Sequence, residues 1–155
     1  MKKTILSTRA MYNKKLKRYL RYQLKDWRDQ KLREANYTCF ITGKKNCKGN
    51  RFPLDVHHHQ ITFGEILDES LKALNLVFHE FTTSYTEEEL QSLVDEVIAR
   101  HKDTPELVLS RDAHETLHQR YGNNPTMEDV KEYKKHYRRR VINSINGNQK
   151  KQKKK

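Results

Sequence analysis

Eight histidines are spread over 155 residues, and two groupings among them have spacings that chemistry can use. One is the run His57-His58-His59, which follows the β-favouring segment Leu54-Asp55-Val56. The other is the pair His114 and His118, four residues apart, a spacing that stacks both rings on one face of a helix. Neutral imidazole ligates zinc and its borderline neighbours, and three protein ligands leave a coordination position open for water or substrate. A strand end with paired histidines, a second short strand and a helix presenting H-x-x-x-H is the order that brings three imidazoles around one divalent cation. A fourth ring is then left outside the ligand set, and with an ordinary pKa near 6.5 it is able to accept a proton at neutral pH. Within the run two registers are open: His57 as ligand with His58 as base, or His58 as ligand with His59 as base. His59 shares a strand face with His57 and is alternatively a phosphate contact. His79, His101 and His136 read as ordinary surface or core residues.

These histidines need elements to hold them. Tyr12, Leu16, Tyr19, Leu20, Leu24 and Trp27 recur at spacings of three and four, one apolar face of a helix whose other face is basic. The runs TCFIT and LDV flank a Gly/Asn/Lys loop ending in Pro53 and predict a hairpin-like lead into the histidines. Residues 64–81 predict a further helix. Thr86 and Glu89 form a capping box before Leu90, Leu93, Val94, Val97 and Ile98, which predicts a helix to about Lys102, short of Thr104-Pro105. Leu107 to Ser110 reads as a strand, Ala113 to Tyr121 as a helix closed by Gly122, and Thr126 with Asp129 opens a last helix.

Composition limits what such elements can build. Hydrophobic and charged residues each make up 34% of the chain, which implies a small core and one modest domain with extensions. No apolar run is long enough to span a bilayer and the first residues lack a signal-peptide stretch, so a cytoplasmic protein without a membrane partner is expected. Cys39 and Cys47 are expected as free thiols there, and a zinc site built on them lacks an evident second pair of ligands. The net charge of +12 is unevenly distributed. Residues 1–34 carry twelve Lys/Arg against three acids, residues 131–155 carry eleven against one, and the middle carries nine against sixteen. Basic flanks around an acidic centre point to a polyanionic partner, nucleic acid above all. The plainer alternative is that the flanks are solvated charge.

The segments CFITG, LDVHHH and LVLSRDAHETLHQRYG, in that order, resemble the HNH (His-Me finger) endonucleases, among them the colicin-type DNases and many small phage-encoded enzymes. They cover under half of residues 39–122. In the family pattern the first histidine of the strand-end pair is a metal ligand, the second is the general base, and the final helix supplies two more ligands. The resemblance therefore implies His57, His114 and His118 as ligands of a single divalent metal ion, with zinc, magnesium, manganese and nickel undistinguished. It implies His58 as the base, double-stranded DNA as the substrate, and products ending in a 5′-phosphate and a 3′-hydroxyl. Val56-His57-His58 matches the family's V-H-H and favours the first register.

The chain departs from the pattern at the residue that gives HNH its middle letter. The family's Asn stands about nine residues before the first helix histidine, where this chain has Pro105, between Thr104 and Glu106. Asn75 is the substitute the resemblance allows, with 76–103 then an insertion. A backbone carbonyl would orient His58 equally well.

The expected architecture is α+β, a ββα-metal core with flanking basic helices and an inserted helix. Residues 1–36 are expected as a basic helical extension and 37–122 as the core, with the insertion over about 64–103. Residues 123–146 are expected as a basic helix and 147–155 as a disordered basic tail. Lys17, Arg21, Arg28, Lys44, Arg111, Arg120, Lys135, Arg138 and Arg139 are the candidate phosphate contacts. The alternatives from other classes are a non-catalytic, zinc-stabilised nucleic-acid-binding protein and a nuclease acting on RNA.

Overall fold

A computed structural model of the chain describes residues 14–152, with side chains as far as Ile145. Six α-helices and a two-stranded antiparallel sheet lie among the described residues, an α+β arrangement. In chain order they are α1 (Leu16–Gln23), α2 (Lys25–Glu34), β1 (Leu54–His58), α3 (Phe63–Ala73), α4 (Glu87–Lys102), β2 (Glu106–Ser110), α5 (Arg111–Tyr121) and α6 (Met127–Gln152). No described helix is long and apolar enough to cross a membrane.

The chain divides into two units. Unit 1 takes the residues up to Gln30 together with Ile61–Thr104, and unit 2 takes Lys31–Gln60 and the chain from Pro105 onward. Unit 1 is helical. The apolar face of α1 (Leu16, Tyr19, Leu20) and Leu24 join Phe63, Leu67 and Leu71 of α3 and Leu90, Leu93, Val94 and Val97 of α4 in one core. The N-terminal helices and the insertion were expected as separate pieces. They share this core because neither has enough apolar surface to fold alone. Helices α3 and α4 both begin with complete capping boxes, Thr62 with Glu65 and Thr86 with Glu89.

Three local expectations need correction. The first helix, expected from Tyr12 to Trp27, is two segments meeting at Leu24; Tyr12 lies outside the described residues. The helix expected over 64–81 stops at Ala73, because Asn75 adopts the left-handed region (φ 55°) and the Leu76 N–H returns to the Leu71 carbonyl. The last helix continues through Asn146-Gly147 to Gln152, where a disordered tail was expected from 147; residues 153–155 lie outside the described residues.

Unit 2 contains the sheet. β1 and β2 pair with Leu54 opposite Ser110, Val56 opposite Val108, His57 opposite Leu107 and His58 opposite Glu106. TCFIT has the composition of a strand yet forms turns: the Gly43 N–H bonds the Cys39 carbonyl, and Thr38 meets Lys45 in an isolated bridge. Its ties to the sheet include the Phe40 N–H donating to the Val108 carbonyl and the Cys39 thiol beside the Ser110 hydroxyl. Helix α5 starts directly after β2, capped by the Ser110 hydroxyl, which accepts from the Ala113 N–H. Ala113 and Leu117 on one face of α5 pack with Leu109, Ile41, Cys39, Val130 and Tyr133. That packing fixes which face of α5 is left to carry His114 and His118.

Candidate metal centre

In β1, Asp55 and His57 share one face of the strand, while Val56 and His58 share the other. Helix α5 comes up against the first of these faces. As a result His57 Nδ1 lies 3.1 Å from His114 Nε2, which in turn lies 3.0 Å from His118 Nε2. Ligand atoms of the three rings all fall within 4.8 Å of one another, close enough to bind one metal ion. Tetrahedral zinc, with Zn–N of about 2.0–2.1 Å, holds its nitrogens about 3.3 Å apart, so two of the three spacings are near what such an ion requires.

The far nitrogens of the helix pair are anchored. His118 Nδ1 donates to the Gly122 carbonyl at 2.9 Å, and a carbonyl can only accept. His114 Nδ1 donates to Asp55 Oδ2 at 3.3 Å, and this hydrogen bond, with help from Arg111 at 3.5 Å, holds the Asp55 carboxyl below its ordinary range. Because Nδ1 is the donor in these two contacts, a ring carrying one proton turns its Nε2 lone pair inward, and the Nε2 atoms of the two rings face each other at 3.0 Å. Two lone pairs at that distance repel unless something positive lies between them. A proton or a metal cation meets that need, and a carboxylate or carbonyl on the far side of a ligand histidine is the usual second shell of a metal site.

His57 is 3% exposed, and burial, followed by its three neighbouring positive-capable rings and His58, pushes its pKa down to about 3. It is therefore a neutral ring with a lone pair to give. Its Nε2 is buried and meets no hydrogen-bond partner among the described residues.

His58, at the end of β1, projects to the opposite face from His57 and lies outside the cluster, directly across from Glu106. His59 also lies outside it, so the strand-end residue that joins the helix pair is His57. Asn75 belongs to unit 1 and has a backbone role, ending α3 in a left-handed turn. Cys39 is a buried core thiol that accepts from the Thr42 N–H, Cys47 is exposed, and neither belongs to a metal-holding cluster among the described residues.

The candidate phosphate contacts are distributed over both units. Lys17, Arg21 and Arg28 are exposed on α1 and α2, with the Arg21 guanidinium 4.6 Å from the centre of the Phe63 ring. Lys44 and Arg111 line one hollow of about 370 Å³ beside Asp112 and Thr116. Arg120 and Arg139 line another, of about 300 Å³, with Arg140 and His136. Lys135 and Arg138 are exposed along α6.

Asp55 and the Gly122 carbonyl are the contributors to the candidate site that sequence reasoning missed. The signal for Asp55 was an acid two residues before a strand histidine, which must share its face. It becomes meaningful only when α5 is known to cross that face. Comparison of the chain with models of protein families, with curated proteins and with solved structures finds no match, so its likeness to the HNH endonucleases rests on the motif residues alone.

Proposed function

We propose that the protein is a metal-dependent HNH endonuclease that hydrolyses DNA phosphodiester bonds, with β1, β2 and α5 as its ββα-metal core. The observation that carries this reading is the convergence of His57, His114 and His118 with the two helix rings locked Nε2-inward by Asp55 and Gly122. Three ligands rather than four are found among the described residues, which supports a catalytic site with an open position over a structural zinc site. His57, His114 and His118 would hold one divalent cation, which when bound supplies Lewis-acid stabilisation of the charge that develops on the phosphoryl and leaving oxygens. His58, outside the ligand set, takes the proton from the attacking water. Lys44 and Arg111, which line one hollow, and Arg120 and Arg139, which line another, would hold neighbouring phosphates. Orientation of His58 falls to a backbone carbonyl or to Glu106, which the strand register sets opposite it.

The test is plasmid cleavage across zinc, manganese, magnesium and nickel with wild type and His58→Ala. The expected result is a loss of about 10²–10⁴-fold in rate, the usual contribution of a general base, with metal uptake retained. Unchanged cutting by the variant would remove His58 from the mechanism. Absence of cutting by wild type with every metal, together with unfolding on chelation, would favour the zinc-stabilised binding protein.

A further inference from the structure

We infer that α1 and α2 carry a second nucleic-acid site, independent of the metal, in which a stripe of cations grips the phosphate backbone of duplex DNA. The inference rests on the reading of the protein as one that acts on DNA. Lys14, Arg18, Arg21, Lys25 and Arg28 follow one another at spacings of four, three, four and three. The backbone pattern continues across the junction between the two helices, with the Leu24 N–H on the Leu20 carbonyl and the Arg28 N–H on the Leu24 carbonyl. The four from Arg18 to Arg28 therefore stay on one face, and Lys14, just ahead of α1, joins them at its start. Together with Tyr22 they line a hollow of about 730 Å³, and no acidic side chain is among the lining residues.

The stripe is unneutralised in a unit where two other cations are paired. Lys15 meets Glu80 at 3.1 Å, and Arg100 meets both Glu69 and Glu96. None of the five stripe residues forms an ion pair among the described residues. Like charges three and four apart on a helix repel, so an uncompensated row is a cost that a polyanion would remove. From Arg18 to Arg28 the stripe runs about 15 Å at 1.5 Å per residue, the axial rise of about four phosphates of one DNA strand.

The surroundings of the stripe choose among polyanions. An anionic membrane holds a basic helix best when an apolar face inserts as well, and the apolar face of α1 is already buried in the core of unit 1. A single strand would need a row of stacking platforms, and Tyr22 is the one aromatic side chain lining the hollow. Tyr22 is 60% exposed, with Lys14 Nζ 5.6 Å from its ring centre, and offers its hydroxyl to the backbone.

The test reads binding rather than cutting. Full-length protein in excess chelator is titrated into a fluorescent 20-base-pair duplex at salt from about 50 to 200 mM, a range over which phosphate contacts dominate the change in affinity. Because each lost phosphate contact reduces the slope of log K against log salt by about 0.9, Arg18→Gln/Arg21→Gln/Lys25→Gln/Arg28→Gln should flatten it by up to about 3.6. Lys14→Gln/Lys25→Gln, a milder change at exposed positions, should flatten it by up to about 1.8. Arg18→Lys/Arg21→Lys/Arg28→Lys should keep the wild-type slope. An unchanged slope in the folded charge-removal variants, an equal loss in the charge-conserving one, or tighter binding to single strands or to phosphatidylserine vesicles would overturn the proposal. A protein that cuts DNA but keeps its slope in these variants loses only this site. A protein that never cuts, yet responds as described, keeps the site and loses only the nuclease reading.

Discussion

His101 in unit 1 and His57 in unit 2 are both buried, at 0% and 3% exposure, and in both burial is the main reason the pKa falls below its ordinary value. Their neighbours differ. His101 donates from Nδ1 to the Val97 carbonyl at 2.6 Å, and its ring packs edge-on against Trp27, whose indole N–H donates to the His101 carbonyl. Phe63 closes another side. His57 instead faces the rings of His114 and His118 at centroid distances of 5.0 and 5.2 Å. Burial and a lowered pKa are thus common to a packing histidine and a candidate ligand. What separates them is that His101 is set among a carbonyl and two aromatic rings, whereas His57 faces two further imidazoles whose nitrogens converge on the same point.

Substitutions can break this contrast. The largest effect is expected from His101→Ala, which should lower unfolding free energy by about 2–5 kcal/mol, the range for truncating fully buried side chains, while leaving zinc uptake intact. Chemical denaturation and a zinc titration on the same preparation check both halves, and impaired zinc uptake in a folded variant would dissolve the distinction. Next is His114→Ala/His118→Ala. Wild type with zinc at about 100 times Kd should gain about 2.7 kcal/mol, and the double variant should gain nothing. Its metal-free form should keep the wild-type fold, so that the loss is confined to the metal-dependent gain. Asp55→Asn should weaken metal affinity by about 10–100-fold, the usual effect of losing an outer-shell partner, with the metal-free fold kept.

The smallest effect is in the pH dependence. The folded core holds His101 neutral, whereas the unfolded chain protonates it below about pH 6.5. Its contribution is therefore complete above about pH 7 and falls as pH drops below 6.5, by at most about 1.4 kcal/mol per pH unit. Subtracting the His101→Ala profile from the wild-type profile, both without metal, should isolate that slope. A difference that is flat between pH 5 and 7 would mean the ring is hydrated rather than packed.

Features set by neighbours in sequence were readable in advance. The Thr86 and Glu89 box announced α4, the four-residue spacing of His114 and His118 announced a shared helix face, and Gly122 announced where that helix stops. Features set by distant parts of the chain were not. TCFIT looked like a strand and the partner of LDV, but β1 instead pairs with a segment beyond α4. Thr42 and Gly43, with φ 69° at the glycine, turn the chain away before a ladder can form. Asn75 invited a functional reading, yet its ability to adopt left-handed backbone is what the structure visibly uses. Asp55 gave no local hint of its link to His114, which lies on an element that reaches it only through the sheet.

The pairing of His58 with Glu106 sets the last residue of one strand beside the first of the next, so the 47 residues between them leave and rejoin the sheet through one narrow doorway. Lengthening such an excursion twofold costs only about 0.6 kcal/mol in closure entropy. Closure is the small part of the cost of shortening it, because α3 and α4 within the excursion share a core with α1, and replacing them by a turn would lay Leu16, Tyr19 and Leu20 bare to water.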